Sequence, residues 1–159
     1  MLGGQRSIIR ACAISAAGDT IAYGLTSGEM ILENATSHAA IARWQAHAKW
    51  VRSCAFSPDG HFILTASDDH RLLLWDRGTG KFQEYFDPTL SPAAAHGHNI
   101  RFCTFSPDGQ DVLSAGGDGH NDLTIRLWNR YSGAIVQRFD GHQELVIESR
   151  FSPDGKTLY

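Results

Sequence analysis

Phe56-Ser57-Pro58-Asp59-Gly60 is the stretch that decides the fold, because the chain repeats it. The same five residues return at Phe105 to Gly109 and at Phe151 to Gly155, 49 and 46 residues further on. A degenerate echo, Ile14-Ser15-Ala16-Ala17-Gly18, stands 42 residues ahead of the first copy. Self-similarity at a period of about 20–50 residues marks an array of stacked units. Such arrays act through the surface their units present more than through one catalytic pocket.

The residues around the first copy spell out one unit. Val51 to Ser57 reads as a strand, and Pro58-Asp59-Gly60 is turn chemistry, with Pro presetting φ and Gly tolerating positive φ. A second strand is expected over His61 to Ser67, then a tight turn at Asp68-Asp69-His70. Leu72-Leu73-Leu74-Trp75 is a near-continuous apolar strand, which predicts burial on both faces. Arg77 to Gly80 turns the chain into a fourth strand, Lys81 to Phe86. Four short antiparallel strands with turns every 8 to 12 residues make a meander. The third unit repeats the order over Ile100–Ser106, Asp111–Ala115, Leu123–Trp128 and Ala134–Phe139. The first unit is degenerate, over Arg10–Ser15, Thr20–Gly24, Glu29–Glu33 and Ile41–Gln45, and a fourth begins at Val146. The expected fold class is all-β.

Composition fits a globular chain. Of the 159 residues 42% are hydrophobic, and the formal net charge is −3 with no basic run. A nucleic-acid groove would leave a basic footprint, and a membrane-spanning helix needs about 18 or more consecutive apolar residues; neither pattern is present. The residues from Met1 to Arg10 lack a charged-then-apolar signal pattern. A soluble, cytoplasmic protein is expected, the nucleus not being excluded by the sequence. Cys12, Cys54 and Cys103 each stand two residues before the Ile or Phe of the repeated turn. Residues two apart in a strand share a face, so these thiols fill one slot in three units and read as small buried core residues. An odd count at such spacing matches no zinc or redox pattern.

In these residues the chain resembles the WD-repeat β-propeller family. The resemblance is carried by Trp75-Asp76 and Trp128-Asn129 at the ends of two units, by Gly97-His98 and Gly141-His142 (with Ala46-His47 a near match), and by the three Ser-Pro-Asp-Gly turns. It implies a single repeat region over 1–159, with blades at approximately 8–45, 49–87, 99–140 and a partial one at 145–159. It also implies a hydrogen-bonded His, Ser/Thr, Asp and Trp in each blade. In the second unit these would be His47, Thr65, Asp69 and Trp75. In the third they would be His98, Ser114 and Trp128, with either Asp118 or Asp122, because four extra residues separate Ser114 from Trp128. A buried indole N–H needs an acceptor, and closing such a relay avoids orphan polar groups costing about 1–3 kcal/mol each. The first unit departs: Glu33 replaces Trp, Tyr23 the hydroxyl residue and Ser27 the Asp, so no relay is expected there.

A closed propeller needs at least four blades. Two bare blade faces of ~500 Å² apolar surface each would forfeit on the order of 10 kcal/mol per face, which rivals a typical domain's whole stability. The remaining blades are therefore expected from further chain or, less readily, from a second copy.

Asp118-Gly119-His120-Asn121-Asp122 has the residue types of a metal loop but lacks the twelve-residue frame and terminal Glu of an EF-hand, and reads as a polar hairpin insertion. The pair His96-Gly97-His98 looks chelating, yet repeat logic makes one of the two structural. Ser, His and Asp recur in every complete unit, whereas catalysis needs one assembled site. No enzyme activity, cofactor or metal is expected. Arg10, Arg52 and Arg101 recur four residues before the turn, and the resemblance places them near the top rim of a central channel. Lys49, Trp50, Asp68 and Asn99 should lie nearby. These residue types favour interface hot spots. The expected function is a non-catalytic scaffold that binds a protein or peptide through this top face. The alternative is a sensing or autoinhibitory propeller segment of a larger multidomain signalling protein.

Overall fold

The computed structural model describes residues 7–84, 96–117 and 122–159. Among them are twelve strands and no helix. The first sheet is β1 (Ile9–Ile14), β2 (Thr20–Leu25), β3 (Glu29–Asn34) and β4 (Ala40–Gln45). The second is β5 (Val51–Phe56), β6 (Phe62–Ser67), β7 (Leu72–Asp76) and β8 (Phe82–Glu84). The third is β9 (Ile100–Phe105), β10 (Asp111–Gly116), β11 (Ile125–Asn129) and β12 (Ile135–Phe139). Each is an antiparallel meander with its strands in chain order. The expected reach of the second unit's last strand to Phe86 lies outside the described residues. The third strand of the third unit starts at Ile125, two residues later than expected, because Asp122 takes a positive φ of 50° before it.

The turns follow the sequence chemistry. Gly60, Gly109 and Gly155 adopt φ of 72°, 70° and 71°, and the preceding Ser57, Ser106 and Ser152 each donate a side-chain hydrogen bond to Asp59, Asp108 and Asp154. The last turn closes a hairpin held by the Phe151–Leu158 bridge.

The sheets stack through their first strands, β1 against β5 and β5 against β9, which is propeller-blade geometry left unclosed among the described residues. Period-2 alternation divides the core into layers. Ile63, Leu73 and Trp75 face the first sheet, meeting Ala22, Met30 and Leu32. Leu64, Leu72 and Leu74 face the third, meeting Ile100, Cys103, Val112 and Trp128. A third layer, with Leu113, Ala115 and Ile125, is covered by Val146, Phe151 and Leu158 of the fourth unit. This is why β7 reads as a continuous apolar run: it is an interior strand sandwiched between two layers, and each such side chain contributes about 1.5–3 kcal/mol of burial.

The cysteine slot shows the same directionality. Cys54 and Cys103 face the preceding sheet and are buried. Burial pushes both thiols up, that of Cys103 to about 12. Cys12, expected buried, is exposed. Its neighbour Ala11 faces the second sheet, so alternation turns the thiol to the opposite face, where no described sheet covers it.

Candidate functional site

Two polar systems emerge, one inside the sheets and one on their rim. Inside the second sheet, Trp75 Nε1 donates to Thr65 Oγ1 at 2.9 Å, and that oxygen lies 2.7 Å from His47 Nε2. His47 Nδ1 lies 3.0 Å from Asp69 Oδ2, which also accepts from the Ala48 N–H at 2.9 Å. The order fixes the protons: Trp75 donates to Thr65, Thr65 to Nε2, and Nδ1–H to the carboxylate. Burial pushes the Asp69 carboxyl up, but the His47 hydrogen bond and charge, with the Ala48 and Arg71 N–H groups, outweigh it and hold the pKa at about 2.

In the third sheet Trp128 Nε1 donates to Ser114 Oγ at 2.9 Å, and the imidazole 2.7 Å from that oxygen belongs to His96, not to the expected His98. The physical reason is register. His96 stands nine residues before Phe105, as His47 stands nine before Phe56, whereas the Gly-His dipeptide is shifted by two. Gly116 completes the fit, since a Cβ there would collide with the His96 ring. Instead of entering the relay, His98 sits with its ring 6.3 Å from that of His70. Asp122 is the carboxylate of this relay, 3.0 Å from His96 Nδ1; Asp118, the other candidate, lies outside the described residues, as does His120. Burial raises the Asp122 pKa, and the His96 and Thr124 hydrogen bonds with the Arg126 charge lower it further than burial raises it. Burial pushes His96 below the usual imidazole range.

Arg126 joins this network without a counterpart in the second sheet. It occupies the register position of Leu73, opposite Ser114 as Leu73 is opposite Thr65, and its Nη2 pairs with Asp122 at 3.0 Å. At the opposite end of the sheets, the arginine after each end-of-unit dipeptide reaches the previous sheet. Arg77 Nη2 donates to Thr20 at 2.5 Å, and Arg130 lies 3.6 Å from Asp59 and over the Phe62 ring. Their shared offset from Trp75 and Trp128 was the available signal.

The rim is built by a backbone irregularity. In β1, β5 and β9 the ladder skips one residue, and in each case the skipped residue is the arginine: Arg10, Arg52 and Arg101. A bulge leaves its extra residue unpaired and re-aims its side chain. Arg10 and Arg52 both lie over the Trp50 ring, their Cζ atoms 4.9 and 4.7 Å from its centroid, geometry that suits cation–π attraction. Trp50 is still 38% exposed. Arg52 also grips Asp68 in a bidentate pair, both contacts 2.7 Å. Arg101 Nε donates to the Gly117 carbonyl at 2.8 Å, and Asn99 O accepts from Gly117 N. Lys49 is exposed beside Trp50. In the fourth unit Ile147, 79% exposed, stands where the arginine would be.

The WD domain, G-beta repeat family matches residues 39–76 and 92–129. Ribosome assembly protein 4 of Saccharomyces cerevisiae is 50% identical over 46 residues, 29% of this chain and 9% of that protein. Human apoptotic protease-activating factor 1 is 34% identical over 73 residues, 46% of this chain and 6% of its own length. A guanine nucleotide-binding protein subunit beta of Zea mays is 26% identical over 156 residues, covering 92% of this chain and 40% of the relative. The chain therefore spans well under half of each of these relatives. WD-repeat proteins generally mediate protein–protein interaction. With blade-type sheets, two His–Ser/Thr–Trp relays and both repeat matches in agreement, the chain carries two repeats of the WD domain, G-beta repeat type and is similar to WD-repeat proteins.

Proposed function

We propose that this chain is part of a non-catalytic interaction platform that binds a protein or peptide partner across the face carrying Trp50. The observation that carries the reading is a large aromatic ring kept at the surface by two guanidinium groups, on a rim whose side chains are aimed by bulges in rigid strands. Preset side chains lower the ordering cost of association, and exposed Trp with Arg is the composition of interface hot spots. The imidazole, hydroxyl and indole members of the relays below the rim are buried and spent on holding the sheets.

The test is photo-crosslinking from a benzoylphenylalanine placed at position 50 or, on the opposite face, at position 78, in the full-length protein in its native cells. Discrete partner crosslinks from position 50, lost on Arg52→Ala, are the expected result. Crosslinks from position 78 alone would reject this face.

A further inference from the structure

Three homologous positions on the rim show which charges are neutralised and which are not. The backbone bonds Thr26 N to Ile8 O, Asp68 N to Trp50 O and Gly117 N to Asn99 O are equivalent in the three sheets. They align Thr26, Asp68 and Gly117 as the residues facing the bulge arginines. Only one of the three is a carboxylate, so only Arg52 has an acid at this place. Thr26 uses its hydroxyl to accept from the Ile8 N–H, and Gly117 offers Arg101 a carbonyl. Arg10 has no carboxylate partner among the described residues, and neither have Lys49 and Arg101. On a chain whose net charge is −3, the rim around Trp50 thus gathers cations left over after Asp68 has taken one.

From this geometry we infer that the Trp50 rim binds an acidic peptide segment of the partner, its Asp or Glu carboxylates received by Arg10 and Lys49 and a neighbouring side chain laid against the indole. Guanidinium presents a planar fork matched to a carboxylate, and stacking on Trp50 leaves the N–H edges of Arg10 available. Asp68 acts as an internal competitor that holds Arg52 until a partner carboxylate arrives. Glu144 stands in the fourth unit where Lys49 stands in the second, which confines the cationic patch to the first three units. The inference rests on the function proposed above and adds the chemistry of the partner.

The experiment is calorimetric titration of the full-length protein with two synthetic peptides, three repeats of Glu-Gly-Phe-Gly and three repeats of Lys-Gly-Phe-Gly. Binding of the glutamate peptide, weakening as salt rises, is expected, with none for the lysine peptide. Arg10→Glu should weaken the glutamate peptide about fivefold. Asp68→Asn should tighten it about two- to fivefold by releasing Arg52, a gain that a purely structural role for Asp68 would not give. Equal binding of both peptides, no binding of either, or indifference to both substitutions overturns the inference. Retained crosslinking from position 50 in that case shows that the face still binds a partner of other chemistry, and loss of both results removes the proposed function as well.

Discussion

The first and second sheets have the same four-strand order and similar hairpins, yet they are tied differently. In the second, a buried indole N–H ends a chain of donors that runs through Thr65 and His47 to Asp69. In the first, Glu33, Tyr23 and Ser27 occupy the equivalent places, and the polar groups turn outward: Ser27 donates to Glu29, and Glu29 pairs with Arg43 at the surface. The tryptophan that the first sheet contributes to the shared layer, Trp44, packs against Trp75 with ring centroids 5.5 Å apart and the planes tilted by 58°. Its buried Nε1–H has no partner among the described residues. Two indoles in one layer therefore differ in one respect, a satisfied donor against an orphaned one. Apolar layering alone is enough to form a blade, and the relay is an added lock.

The comparison breaks most visibly at Thr65. Thr65→Val keeps the shape but strands both the Trp75 N–H and His47 Nε2, at about 1–3 kcal/mol for each orphan, so urea unfolding should show a loss of about 2–6 kcal/mol. Tyr23→Phe, at the matching place in the first sheet, should cost under about 1 kcal/mol; equal losses would mean that the relay adds nothing.

Acid should separate the locks by pH. His96 is buried and its pKa lowered, so the unfolded chain takes up the proton first. Its contribution is complete above the ordinary imidazole value of about 6.5 and is lost as pH falls below it. The Asp69 carboxyl is held at about 2 against an ordinary 3.8; its share, on the order of 2 kcal/mol, persists above 3.8 and disappears as pH drops toward 2. Thermal melting across this range should therefore fall in two limbs, and His96→Gln should erase the upper one. A single limb in the unsubstituted protein contradicts the assignment.

The smallest effect is the most pointed. Trp44→Phe removes a donor that has no acceptor and should change stability by no more than about 0.5 kcal/mol beyond its lost packing area. Trp75→Phe strands the Thr65 end of a relay and should cost about 1–3 kcal/mol. Chemical denaturation of the two variants side by side decides it.

Much of this was legible in the chain. The blades announce themselves because Phe-Ser-Pro-Asp-Gly recurs and because apolar residues alternate around it. The second relay was readable because His47, Thr65, Asp69 and Trp75 keep their offsets from Phe56. The third departs at one residue: the dipeptide pattern points to His98, while the steric register set by the strand selects His96. What stayed hidden depends on neighbours. A bulge is a property of two paired strands, so nothing in β5 alone says that Arg52 is skipped. Nothing in the sequence around Arg126 announces its burial, which comes with its pairing to Asp122 across the turn. Cys12 has the composition of a core residue, and its exposure depends on a surface that other residues would have to supply.

The skipped arginines have a consequence for how such a surface can diverge. A bulge residue takes no part in the hydrogen-bond ladder and none in the apolar layers, so exchanging it leaves strand pairing and the apolar packing between blades in place. The recognition lettering of the rim can thus be rewritten one position at a time, while the scaffold beneath keeps its register.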